Sequence, residues 1–168
     1  MNRGENGAGN LNVVLQEALN PGQACLRRGG TEYRLGDKVM QIKNNYDKMV
    51  FKGDIGFIKS FDEENRVIFV DFDGHIVEYE QSDLDELVLS YSVTIHKSQG
   101  SEYPIVVMPF TMQFYVMLQR NLLYTGITRA KKVIVLIGSK KAINFAVRNS
   151  EVSQRNTGLA AKLMVGDK

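Results

Sequence analysis

The chain has 168 residues, of which 43% are hydrophobic and 24% are charged, with one cysteine and a net charge of +2. This composition is typical of a globular protein, and it excludes an internal disulfide and any apolar run near the ~20 residues of a membrane span. Because the first residues also lack a signal-peptide pattern, we expect a cytoplasmic protein with no membrane partner.

Charge is distributed unevenly along the chain. Residues 36–87 carry six Lys or Arg and thirteen Asp or Glu, whereas residues 88–168 carry eleven and three. This break predicts two structural units, of which the basic one is the better candidate for contact with phosphates. A simpler explanation is that the acidic and basic faces only keep the protein in solution.

The first half of the chain predicts one short helix followed by small strands. Apolar residues at helical spacing from Leu11 to Leu19 predict an amphipathic helix, and residues 22–30 a loop. From residue 35 the hydrophobic period becomes two, and Asp73-Gly74 is typical of a two-residue hairpin turn. A small antiparallel barrel is therefore expected. Its four predicted strands are Lys38 to Lys43, Asp54 to Phe61, Arg66 to Phe72 and His75 to Glu80.

From residue 87 onward, apolar strands alternate with helices, which predicts a parallel sheet with right-handed crossovers. The predicted strands are Leu87 to Ile95, Ile105 to Phe110 and Val133 to Ile137, and the predicted helices are Val116 to Arg129 and Lys140 to Arg148. Residues 150–168 are expected to form a weakly ordered tail. Three strands are few for such a sheet, so we expect a piece of a longer protein.

No complete catalytic set is visible in the sequence. The Gly-rich phosphate loop ending in Gly-Lys-Ser/Thr is missing, and no His or Cys spacing indicates a metal site. Arg129, near the end of a predicted helix, has two interpretations. It is either a cation favoured by the helix dipole or an arginine that stabilises a phosphoryl group in transfer.

Two further polar positions also have two interpretations each. Thr94 and His96 lie two apart on a predicted strand, so we expect them on one face. They are either ordinary polar residues of a strand or groups that hold a nucleic-acid backbone. Glu102, in a polar loop, is either solvated or an acceptor for a sugar hydroxyl.

Two stretches resemble adjacent signature motifs of superfamily 1 DNA helicases, in the RecD/TraA-like branch. The first stretch resembles motif V, with Thr94-x-His96 followed by Ser98-Gln99-Gly100-x-Glu102-Tyr103. The second stretch resembles motif VI, with Arg120, Leu122, Tyr124, Gly126, Thr128, Arg129 and Ala130. Residues 3–21 and 44–56 are similar to the lead-in and the inserted SH3-like barrel of RecD-like enzymes, of the kind found in exodeoxyribonuclease V alpha subunits.

The resemblance implies an α/β fold, a partial RecA-like (P-loop NTPase) parallel sheet with an inserted small SH3-like β-barrel. Residues 1–34 and 88–168 would form the second motor domain, and residues 35–87 the barrel. The implied activity is that of an ATP-dependent DNA helicase in DNA repair and recombination. ATP and Mg²⁺ would be bound mainly by a missing N-terminal RecA-like domain. The other implied partners are single-stranded DNA and the subunits of a nuclease/helicase complex.

Residue roles follow from the same resemblance. Arg129 matches an arginine finger on the ATP γ-phosphate. Gln99, Gly100 and Glu102 match positions at the nucleotide, with Glu102 near the ribose. The positions matching contacts to single-stranded DNA are Thr94, His96, Lys97 and Ser98. The roles of Arg120 and Tyr124 stay open.

The isolated chain is expected to lack ATPase activity, because the phosphate loop is missing. Two alternatives to the helicase interpretation stay open. The basic unit could be a stand-alone single-stranded nucleic-acid-binding module without motor activity. The acidic barrel could be a docking site for a partner protein.

Overall fold

The computed structural model describes residues 6–23 and 26–150, and the chain divides into two units, residues 1–104 and 105–168. The first unit contains α1 (Ala8–Leu19), β1 (Leu26–Arg28), β2 (Thr31–Tyr33), β3 (Lys38–Gln41), β4 (Ile55–Asp62), β5 (Val67–Phe72), β6 (His75–Tyr79), a 3₁₀ helix (Asp83–Glu86) and β7 (Leu87–Leu89). β8 (Tyr103–Phe110) crosses the boundary. The second unit continues with a 3₁₀ helix (Met112–Met117), α2 (Arg120–Ile127), β9 (Ala130–Gly138) and α3 (Lys140–Arg148).

A five-stranded antiparallel sheet in the order β6-β5-β4-β3-β7 forms the centre of the first unit. Each of the four strands predicted from the period-two pattern is confirmed. The predicted hairpin turn is confirmed as well, because Asp73 and Gly74 have φ values of 55° and 94°. Gly56 is needed where β4 meets β5, since a Cβ there would lie 2.8 Å from the carbonyl oxygen of Asp71.

Alternating side chains of this sheet form the hydrophobic core. Val39, Ile68, Val70 and Tyr79 are completely buried. The amphipathic pattern predicts that helix α1 packs through apolar side chains. In the structure its buried residue is Gln16, while Val13 and Val14 are more than half exposed. The helix is therefore held to the first unit largely by polar contacts.

The most connected of these contacts is made by Asp37, whose side chain is completely buried. Its Oδ2 accepts hydrogen bonds from Gln16 Nε2 at 2.6 Å and from the Arg34 amide at 2.7 Å. Its Oδ1 accepts from Asn20 Nδ2 at 2.8 Å and from the Tyr91 hydroxyl at 2.9 Å. Four donors thus satisfy a carboxylate that would otherwise be costly to bury.

The second unit pairs β8 with β9. Gly138, the last residue of β9, lies so close to the backbone of Phe110, the last residue of β8, that any side chain there would collide with it. Since the two strands end side by side, they run in the same direction, as the sequence predicts. Helix α3 has the predicted bounds, and the hydroxyl of Ser139 caps it by accepting a hydrogen bond from the Ala142 amide at 3.2 Å.

The predicted helix from Val116 to Arg129 is divided by extended backbone at Gln119. Contacts with Asn149, just after α3, account for this break in the helix. The Asn149 side-chain amide donates to the Leu118 carbonyl at 3.0 Å, and the Asn149 carbonyl accepts from the Arg120 amide at 3.0 Å. These contacts satisfy groups that a continuous helix would pair internally.

Two other predictions are wrong. The predicted loop at residues 22–30 includes β1, which forms a hairpin with β2 through Gly29 and Gly30, both at positive φ. The predicted strand from Leu87 to Ile95 is a strand only at Leu87–Leu89, which pairs with β3 rather than with a parallel sheet. The predicted tail lies mostly outside the described residues. No helix in the described part of the chain is long and apolar enough to cross a membrane.

Replacing Asp37 is predicted to destabilise the first unit strongly. Asp37→Ala leaves buried donors without an acceptor, and we expect a loss of about 3 kcal/mol or more in the free energy of unfolding. The isosteric Asp37→Asn should also destabilise, because its amide group faces donors that need an acceptor. Urea denaturation measures both, with the exposed Asp47→Ala as the control. A loss for Asp37→Ala no larger than that of the control would contradict the prediction.

The buried hydroxyl of Tyr33 predicts a pH dependence. It donates to the Leu87 carbonyl at 3.0 Å, and burial, with the charges of Asp85 and Asp37, raises the pKa of Tyr33 to about 12. The unfolded value is about 10, so the folded state favours the protonated phenol. The stability advantage of the wild type over Tyr33→Phe should be full below pH of about 10 and decline as the pH rises toward 12.

Denaturation across this alkaline range measures that advantage. The exposed Tyr46→Phe is the control for the loss of a phenol hydroxyl. A difference in stability between wild type and Tyr33→Phe that does not change across this pH range would contradict the prediction.

Candidate functional site

The motif V-like segment, residues 94–101, is a series of tight turns. The Thr94 carbonyl accepts from the Ser98 amide at 3.0 Å, and the Thr94 hydroxyl accepts from the Lys97 amide at 3.3 Å. The strand predicted through Thr94 and His96 is therefore wrong, and so is the argument that they share a strand face. A threonine side chain that captures a nearby amide favours a turn over a strand.

The turn divides its side chains into supporting and exposed groups. Ser98 is 5% exposed, and its hydroxyl donates to the Ile95 carbonyl at 2.8 Å. Its hydroxyl therefore stabilises the turn. His96 and Lys97 are exposed, and Thr94 is half-buried. The groups available to a ligand are the imidazole and the ammonium.

The residues that follow form an exposed polar loop. Gln99, Gly100 and Glu102 are all exposed. Gly100 has a φ of 85°, and no atom lies within 4 Å of the position where its Cβ would be. The requirement for glycine there is thus conformational rather than steric.

Helix α1 anchors the start of this segment. The side-chain amide of Asn12 donates to the Ser92 carbonyl at 2.9 Å, and its oxygen accepts from the Ser92 amide at 2.8 Å. Tyr91, the preceding residue, donates to Asp37. Burial and this hydrogen bond raise the pKa of the Tyr91 phenol. Two consecutive residues are therefore fixed immediately before the turn begins.

The motif VI-like segment places Arg129 just beyond α2. Its Nε donates to the Thr125 carbonyl at 3.3 Å, and a terminal nitrogen donates to the Thr128 hydroxyl at 3.4 Å. Both bonds are longer than the usual length of about 2.9–3.0 Å for an N–H···O bond. Tyr124, on the same helix, is 69% exposed.

Arg120 has a structural contact that its motif position did not reveal. Its Nε donates to the Val147 carbonyl at 2.9 Å, and its amide donates to the Asn149 carbonyl. Arg120 therefore fastens the start of α2 to the last turn of α3. Sequence patterns give no signal for this contact, because the partners lie 27 residues apart.

The candidate residues fall into two local groups. Thr94, His96, Lys97 and Ser98 meet in one turn of the first unit, whereas Arg129 lies with Thr125 and Thr128 in the second unit. Within residues 6–23 and 26–150, no cluster of three His, Cys, Asp or Glu could hold a metal ion. The chemistry present is thus that of exposed cations and hydrogen-bonding groups, which suits phosphates.

Comparisons with known proteins agree across both units. Residues 11–72 match the SH3 domain of ATP-dependent RecD-like DNA helicases, and residues 89–137 match the UvrD-like helicase C-terminal domain. The ATP-dependent RecD2 DNA helicase of Deinococcus radiodurans is 37% identical over 163 residues, which cover 97% of this chain and 22% of that protein. The RecBCD enzyme subunit RecD of Haemophilus influenzae is 28% identical over 155 residues, covering 90% and 22%.

Solved structures share the fold. The Pif1 helicase from Bacteroides in complex with ADP-AlF3 and single-stranded DNA aligns with a TM-score of 0.58 and 14% identity, covering 94% of this chain and 42% of that one. Bacteroides Pif1 bound to single-stranded DNA aligns with a TM-score of 0.53 and 18% identity, covering 81% and 40%.

This chain spans about a fifth of the length of the curated relatives that it matches. The fold is α/β with an SH3-like domain, and one alignment with a RecD-like helicase covers nearly the whole chain. The chain belongs to the RecD-like branch of the superfamily 1 DNA helicases.

Proposed function

We propose that this chain is the C-terminal motor half of an ATP-dependent DNA helicase that translocates on single-stranded DNA. The observation that carries the proposal is that the SH3 and UvrD-like C-terminal matches occur in one chain, within an alignment covering 97% of it. In this proposal, residues 1–34 and 88–168 form the second RecA-like domain. Residues 35–87 form the inserted SH3-like barrel.

Arg129 is the proposed arginine finger. Its guanidinium lies just beyond α2, where its nitrogens donate to the Thr125 carbonyl at 3.3 Å and to the Thr128 hydroxyl at 3.4 Å, and a guanidinium forms strong charge-assisted hydrogen bonds with phosphate oxygens. When bound, ATP supplies the γ-phosphoryl group, and a guanidinium stabilises the charge on it during transfer. Gln99, Gly100 and Glu102 are proposed nucleotide contacts in the first unit, with Glu102 accepting a hydrogen bond from the ribose.

The described residues fit the phosphate part of the nucleotide better than they fit Mg²⁺. They contain no cluster of three potential metal ligands, although they do contain the exposed cations that phosphates require. We therefore assign Mg²⁺, together with most of the ATP contacts, to an N-terminal RecA-like domain.

The motif V-like turn is the proposed contact with single-stranded DNA. Thr94, His96 and Lys97 would bind the sugar-phosphate backbone, while Ser98 keeps the turn in shape through its bond to Ile95. Contacts of this kind carry no base information, so translocation would be independent of sequence. By analogy with the RecD subunit of the RecBCD enzyme, the partners would include subunits of a nuclease/helicase complex in the cytoplasm.

One observation favours a second candidate function, a single-stranded nucleic-acid-binding module without motor activity. Residues 105–150 contain seven Lys or Arg and no Asp or Glu. Such a unit attracts phosphates without any motor. The two candidates differ in ATP turnover by the full-length protein, which only the helicase requires.

Arg129→Ala is predicted to abolish turnover. In the full-length protein, ATPase activity stimulated by single-stranded DNA should fall by about 10³-fold or more, because an arginine finger contributes at least that much. Nucleotide binding, measured with a fluorescent ATP analogue, should change far less. Lys132→Ala, an exposed cation three residues away, is the control. ATPase activity of Arg129→Ala equal to that of the control would contradict the proposal, as would turnover by the isolated chain that is lost on Arg129→Ala.

His96→Ala and Lys97→Ala are predicted to weaken binding of single-stranded DNA. Lys97→Ala should also reduce the slope of log K against log salt by about 0.7, the value for one phosphate contact on a single strand. Fluorescence anisotropy of the full-length protein measures both effects. The exposed barrel cation Lys52 provides the matched control, Lys52→Ala. An unchanged slope for Lys97→Ala would exclude this turn as a phosphate contact.

A further inference from the structure

The outer face of α3 forms an open groove outside both motif-like segments. The groove has a volume of about 810 Å³ and is lined by Lys141, Asn144, Phe145, Arg148, Asn149 and Ser150. The first four of these residues recur at helical spacing, so they lie on one face of the helix. Nothing in the proposed motor chemistry uses this face.

The groove is strongly basic. Lys141 and Arg148 are both exposed, and residues 105–150 of their unit contain no Asp or Glu that could neutralise them. Arg120 adds a third cation nearby, because its Nε is held on the Val147 carbonyl in the last turn of α3. Clustered cations of this kind attract phosphates.

The first turn of α3 strengthens this argument. Lys140 and Lys141 occupy helix positions where the macrodipole favours anions, and the helix has no acidic residue in that turn. Their placement therefore costs helix stability rather than adding to it. An anionic ligand beside Lys141 would remove this unfavourable interaction.

Phe145 gives the groove a second kind of contact. It lies between Lys141 and Arg148 along the same face, and it is 40% exposed although phenylalanine is usually buried. An exposed ring between cations is the arrangement that binds single strands, with cations on phosphates and aromatic rings stacked on bases. A duplex offers no unpaired base to such a ring.

We propose that the α3 groove is a second binding site for single-stranded DNA, with Lys141 and Arg148 on phosphates and Phe145 stacked on a base. Asn144 and Ser150 supply hydrogen bonds to the backbone. The inference goes beyond the proposed motor, because the groove needs neither ATP nor the motif V-like turn to bind a strand.

The test is anisotropy of a fluorescent oligothymidine of about 12 nucleotides, a length within the range that one such site binds. The 168-residue chain is titrated between about 50 and 200 mM NaCl. For Lys141→Gln/Arg148→Gln, the slope of log K against log salt should fall by about 1.4, which corresponds to two phosphate contacts. Phe145→Leu, which keeps an apolar side chain but removes the ring, should weaken binding about fivefold or more without changing the slope.

Lys43→Gln/Lys52→Gln is the matched control, since it removes two exposed cations from the acidic first unit. Its slope should stay near the wild-type value. His96→Ala/Lys97→Ala separates this site from the proposed motor contact. When Lys141→Gln/Arg148→Gln is added to that variant, the slope should fall by the same amount as it does in the wild type. Photocrosslinking with 5-iodouracil in the strand should label the tryptic peptide Ala142–Arg148.

Three results would overturn the proposal. The first is a slope for the α3 double variant equal to that of the Lys43→Gln/Lys52→Gln control. The second is a crosslink confined to other peptides. The third is wild-type affinity of Phe145→Leu together with equally tight binding of a duplex.

Discussion

The first unit depends on the burial of one carboxylate. Asp37 is completely buried and accepts hydrogen bonds from Gln16 and Asn20 of the helical segment, from the Arg34 amide, and from Tyr91 beyond β7. Because the four donors come from three separate parts of the chain, the carboxylate is satisfied only when all three are in place. Helix α1 exposes much of its apolar surface, so this polar network specifies where it lies. With Tyr91 fixed, the motif V-like turn begins from a defined point.

Sequence patterns correctly predicted the elements that are determined by residues close together in the sequence. The period-two strands and the Asp73-Gly74 turn of the first unit, and helix α3, follow from spacing and turn chemistry alone. The same reasoning failed from Ser90 to Ile95. The β-branched and apolar residues there favour a strand, but hydrogen bonds with Asn12, Asp37 and the Thr94 hydroxyl hold the backbone in another conformation. The break before α2 depends on Asn149, which is 31 residues from Leu118, and no local pattern shows it. The candidate site was found through resemblance to a family, since the pattern around Arg129 alone is more typical of a helix-end cation.

Charge divides the chain into an acidic part and a basic part. Residues 36–87 have a large excess of acidic residues, whereas residues 105–150 have none at all. A polyanion is therefore repelled by the acidic part and attracted by the basic part. Both proposed DNA contacts follow this division, since the motif V-like turn and the α3 groove lie outside the acidic region.

One face of the β8–β9 sheet is apolar and exposed. Its side chains, at alternate strand positions and between 42% and 60% exposed, are Ile105, Val107, Val133, Val135 and Ile137. A surface of this kind is suited to being covered by further protein, and the curated relatives are several times longer than this chain.

The most direct test of the motor-half proposal is the native length of the protein in its source cell, measured by immunoblot with antibodies against this chain. A band from a protein several times longer than 168 residues is expected, since the proposal places the phosphate loop and the first RecA-like domain in the same protein. A band of the same length as this chain would contradict the proposal, because Arg129 would then have no nucleotide on which to act.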